Sequence, residues 1–139
     1  MRKLRISLVT VFLLLSGLAT ICAAQTQLPD TPAGHQGAAW LEVFNTGDRE
    51  IYRDFLQKNF PSRAEHVDQE MGFREMTGGF ELRRVEESTP TKLVALVQER
   101  RSDQFARLTV EVEATEPHHI VNMDLRAIPR HPRSSPCRT

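Results

Sequence analysis

The hydrophobic period of the chain changes once, near Gly78-Gly79, and that change constrains the fold more than any other feature. Before it, apolar residues recur three and four apart, as on one face of a helix. After it they alternate with polar residues, as in a half-buried strand. Ala38, Ala39, Trp40, Leu41, Val43 and Phe44 predict a first helix over 33–44, with Asp30 or Thr31 as cap and Pro32 in the first turn. Asn45-Thr46-Gly47-Asp48 stops it, because Asn and Gly tolerate left-handed backbone and Asp48 suits the next N-cap. Ile51, Tyr52, Phe55 and Leu56 predict a second helix over 49–59, closed by Pro61. A weaker, polar helix is predicted over 63–72, with Val67 and Met71 on one side.

Beyond the glycine pair, Phe80 and Leu82 alternate with charges, and Leu93-Val94-Ala95-Leu96-Val97 forms a continuous apolar strand. Leu108, Val110, Val112 and Ala114 share one face of a third strand, and Arg107, Thr109, Glu111 and Glu113 share the other. A last strand over 120–128 places Val121, Met123, Leu125 and Ala127 together. Short polar connections at 87–91, 101–104 and 115–118 suit an antiparallel meander. Helices first and strands after define an α+β layered domain.

The chain opens on Arg2, Lys3 and Arg5, an apolar run over 6–21, and Cys22-Ala23-Ala24. This is the pattern of a secretory signal peptide over 1–24, cut before Gln25. The expectation is export to the periplasm or the extracellular space, with no stable membrane insertion once the leader is removed. A lead-in is expected over 25–34, one domain over 35–129, and a disordered basic tail over 130–139. Losing the leader leaves 15 basic residues against all 18 acidic ones, a balance of −3. That balance argues against nucleic-acid binding. Cys137 would remain as the only cysteine, so no internal disulfide is expected.

Trp40-Leu41-Glu42-Val43-Phe44-Asn45-Thr46-Gly47-Asp48 resembles the first helix and turn of the NTF2-like (cystatin-like, SnoaL-like) superfamily. The resemblance implies a cone, with two to three N-terminal helices packed on a strongly curved, mainly antiparallel four-stranded sheet. Arg74-Glu75-Met76-Thr77-Gly78-Gly79-Phe80, Arg84-Val85-Glu86-Glu87-Ser88, Leu96-Val97-Gln98-Glu99-Arg100 and Leu125-Arg126-Ala127-Ile128-Pro129 resemble the N-terminal accessory domain found before some bacterial exported hydrolases, among them serine hydrolases and tail-specific-protease-like peptidases. The resemblance implies an accessory domain, with a homodimer or a hydrolase-type domain as partner. The chain has no Ser-x-x-Lys or Gly-x-Ser-x-Gly element of its own, so it is read as a domain without catalysis.

Two sites follow as expectations. Arg107, Thr109, Glu111 and Glu113, on the outward face of the sheet, are the interface candidates. Trp40, Phe44, Tyr52, Phe55, Val110 and Met123 are the candidates for lining a cavity for a small apolar ligand, or for a cryptic lyase or isomerase. Core packing is the plain alternative for each of the six. The resemblance puts Trp40 where isomerases of the superfamily carry a tyrosine, and an indole donates one hydrogen bond without acting as a phenol. His118-His119 lacks the spacing of a metal site, and neither a metal nor a cofactor is expected.

Overall fold

The computed structural model describes residues 27–129. The leader, the proposed cut before Gln25 and the basic tail lie outside the described residues. Helix α1 spans Pro32–Thr46, α2 Arg49–Asn59 and α3 Val67–Thr77, with a 3-10 segment, Pro61–His66, before α3. Four strands follow: β1 Phe80–Ser88, β2 Lys92–Glu99, β3 Phe105–Val112 and β4 Ile120–Ala127.

The helix ends follow from local chemistry. Thr31 caps α1 by accepting the Gly34 amide at 3.0 Å, with Pro32 in the first turn as the sequence predicts, and the helix runs two residues past Phe44 to Thr46. Gly47 ends α1 in left-handed backbone, and the Asp48 carboxylate caps α2 by accepting from the Glu50 and Ile51 amides. The third helix differs from its expected course. It starts four residues later and runs through Gly72 to Thr77. A Cβ on Gly72 would meet nothing, so this glycine serves no turn. The true stop is Gly78, at φ 74°, whose amide bonds Arg74 O at 2.8 Å.

The strands form one antiparallel sheet in the order β1-β2-β3-β4. Leu93, Ala95, Val97, Leu108 and Val110 face the helices and are fully buried, and α1 packs across β1, β2 and β3. The α+β layering is as expected, but the cone is not. The sheet is open, neither curled nor closed, with β1 and β4 as its two edges. Bulges and glycine kinks are what bend a sheet strongly. Here β2 and β3 pair in unbroken register from Lys92↔Glu111 to Gln98↔Phe105. The register shifts fall on the β1–β2 and β3–β4 pairings.

One shift overturns a facing. The β3–β4 register skips Val121, so Ile120 turns inward and is buried while Val121 is 56% exposed. Ala114 lies beyond the end of β3.

Candidate functional site

Among the described residues, two hollows stand out, one on each side of the sheet. The smaller, about 250 Å³, lies on the helix side and is lined by Trp40 and Phe44 of α1, Phe60 and Arg63 after α2, Glu70 and Phe73 of α3, and Met123 to Leu125 of β4. Helical spacing aims these side chains together. Trp40 and Phe44 are four apart with rings stacked at 4.8 Å, and Glu70 and Phe73 are three apart. Phe73 closes a cluster with Phe44 and Phe80, at 6.3 and 5.9 Å.

A polar chain runs through this apolar wall. Trp40 Nε1 donates to Tyr52 Oη at 3.1 Å, and the Tyr52 hydroxyl donates to Glu70 Oε2. Arg63 Nε donates to Glu70 Oε1 at 2.8 Å, with Nη2 at 2.6 Å, and the guanidinium lies 5.7 Å over the Phe60 ring. Burial, reinforced by the Glu70 charge, pushes the Tyr52 hydroxyl well above the usual tyrosine range. Tyr52 is therefore a neutral hydrogen-bond donor at physiological pH.

The six cavity candidates divide. Trp40, Phe44 and Met123 line the hollow. Tyr52 is fully buried and joins two wall residues, Trp40 and Glu70. Phe55 and Val110 are buried in the core and form none of its wall. Sequence reasoning missed Phe60, Arg63, Glu70 and Phe73. Glu70 left one signal, since a lone tyrosine on an apolar helix face needs a partner for its hydroxyl.

The larger hollow, about 630 Å³, is a shallow basin on the outer face of the sheet. Of the four interface candidates, Arg107, Thr109 and Glu111 line it and Glu113 does not. Glu113 follows the end of β3 and accepts the His119 amide at 3.3 Å. The basin's charges pair with one another. Glu86 accepts from Arg84 and Arg107 at 2.9 and 2.7 Å, Glu111 accepts from Asn122, and Asp124 accepts from Arg126. The Arg107 and Arg84 guanidiniums hold the Glu86 carboxyl below the usual carboxylate range. The His118 ring meets Glu113 O at 2.9 Å and His119 Nδ1 meets the Glu113 carboxylate at 3.2 Å. Among the described residues no group of three or more His, Cys, Asp or Glu is placed to hold a metal, and no helix is long and apolar enough to cross a membrane.

Comparison with protein-family models, with curated proteins and with solved structures found no match to this chain.

Proposed function

We infer that the domain is a noncatalytic binding module that holds a small, mainly apolar molecule in the hollow between α1, α3 and β4. The observation that carries this reading is an aromatic wall crossed by the Trp40–Tyr52–Glu70–Arg63 chain. Aromatic rings supply the apolar contact, and the Arg63–Glu70 pair supplies fixed polar groups that orient a ligand. A volume of 250 Å³ is about eight water volumes, so the ligand has roughly that number of heavy atoms. Both wall carboxylates already hold partners, Glu70 with Tyr52 and Arg63 and Asp124 with Arg126, which favours binding over proton transfer.

Trp40 is the only tryptophan, so its emission reports this wall alone. Titration with a panel of small aromatic and alicyclic compounds is expected to quench it, and Phe73→Ala to weaken that quenching. A panel that leaves both emission and melting temperature unchanged would sink the reading.

A second reading is protein contact through the outer basin, as in an accessory domain beside a hydrolase-type partner. It is favoured by the gathering of Arg107, Thr109 and Glu111 in one concavity. Charge reversal at Glu111 should then weaken capture of such a domain without lowering the melting temperature; unaltered capture would discard the surface. Either function is proposed to operate after export, on the strength of the leader pattern over 1–24.

A further inference from the structure

The two edges of the sheet differ. Register shifts interrupt β1 between Leu82 and Arg84 and between Val85 and Glu87, and Glu81, Arg83, Arg84, Glu86 and Glu87 crowd it with charge. Bulges and charges are how edge strands resist pairing with another chain. From Asn122 to Ala127, β4 keeps an unbroken register with β3, and its other side meets no strand among the described residues.

Backbone direction along β4 follows from one hydrogen bond. The Ile128 amide donates to Phe105 O at 2.8 Å, so it faces β3. By two-residue alternation Arg126 and Asp124 also face β3, while the amides and carbonyls of Ala127, Leu125 and Met123 face the free edge. The helix-side faces of Met123 and Leu125 are only half buried, unlike their β3 partners Val110 and Leu108.

We propose that two copies of this chain join antiparallel along β4, about a two-fold axis at Leu125, into one continuous eight-stranded sheet. Charge selects the register. An axis at Asp124 would set Asp124 against its own copy, and an axis at Arg126 would set two arginines together. An axis at Leu125 places Asp124 opposite Arg126 of the second copy, twice. The same axis makes Leu125 opposite Leu125, and Met123 opposite Ala127, hydrogen-bonded pairs, for about six cross-edge backbone bonds. Asp124 and Arg126 then form the closer, non-hydrogen-bonded pairs, where opposite charges stabilise most. Met123 and Leu125, now half-buried, gain an apolar neighbour from the second copy. This association stands independently of the ligand reading, although Met123 to Leu125 also wall the smaller hollow.

The test is sedimentation equilibrium on the full chain as the host processes it, at high micromolar concentration. A dimer mass is expected. Asp124→Arg should weaken the dimer about tenfold or more, since two attractive pairs become two repulsive ones. The double variant Asp124→Arg/Arg126→Asp should restore it. Ala127→Pro deletes an amide that faces the free edge and not β3, so it should abolish the dimer while circular dichroism keeps the fold signal. A monomer at every concentration overturns the proposal. A dimer indifferent to the charge reversal and to Ala127→Pro also overturns it, and assigns association to another surface.

Discussion

Tyr52 is the residue on which most of the site's polar order depends. Its hydroxyl accepts from Trp40 and donates to Glu70, in a fully buried position. Tyr52→Phe is expected to cost about 1–3 kcal/mol, because it strands the indole N–H and one Glu70 oxygen. Chemical denaturation of the two proteins at neutral pH measures this. The raised hydroxyl pKa also carries a pH dependence. The folded value lies above the unfolded value of about 10. The stability it contributes is complete below that pH and falls as pH rises beyond it. As the only tyrosine, Tyr52 makes the test direct. Tyrosinate absorbance should stay absent until the chain unfolds, and ionisation in the native state would contradict the burial. Glu86 behaves in the opposite sense. Arg107 and Arg84 lower its pKa, so its contribution is present above the ordinary value of about 4.3 and is lost as pH falls through the folded value. Glu86→Gln should lower the denaturation midpoint at neutral pH, with the difference vanishing in acid.

At the scale of elements, Asn45 explains the turn that the sequence pattern singled out. Its amide Nδ2 donates to Phe80 O at 2.9 Å and its Oδ1 accepts the Phe80 amide at 2.8 Å. One side chain thus pairs with the first residue of β1 as a neighbouring strand would. Arg74 completes the junction by donating to the Phe44 and Asn45 carbonyls at the end of α1. Asn45→Ala should cost about 2 kcal/mol, roughly 1 for each lost backbone partner, as read from urea midpoints. Gly79→Ala should also destabilise, since its φ is 91° and a Cβ would sit 2.4 Å from Asn45 Oδ1.

Elements with a strong period and a side-chain cap were legible: α2 has the bounds that Asp48 and Pro61 set, and the faces of β3 follow its alternation. The extent of α3 was not, because Gly72 reads as a stop when only local propensity is weighed. The Val121 facing was lost because a register skip leaves no mark in alternation. Of the cavity wall, the α1 residues were visible as an aromatic pair. Arg63 and Glu70 were not, since their meeting depends on how a 3-10 segment hands the chain to α3.

For the whole molecule, the open sheet alters what the family resemblance implied. A cone would enclose its cavity between sheet and helices. An open sheet leaves the hollow beside the strand at its edge, so the proposed ligand site and the proposed association along β4 share one side of the protein. Export belongs to this scale as well. Protein recovered from the periplasm or medium of a secreting bacterial host is expected to begin at Gln25. Intact Met1 in that fraction, or retention of the product inside the cell, would refute the leader reading.

The Asn45 tie has a consequence for how the protein opens. The first amide of β1 is held by a helix residue 35 positions earlier, so release of the strand's start and undocking of α1 are coupled through this bond. The helical half and the sheet then share one opening event instead of fraying separately. In native-state hydrogen exchange, the Phe80 amide should exchange with the same opening free energy as amides in the middle of α1. In Asn45→Ala, Phe80 should fall out of that group and exchange early, while the centre of β2 keeps its protection.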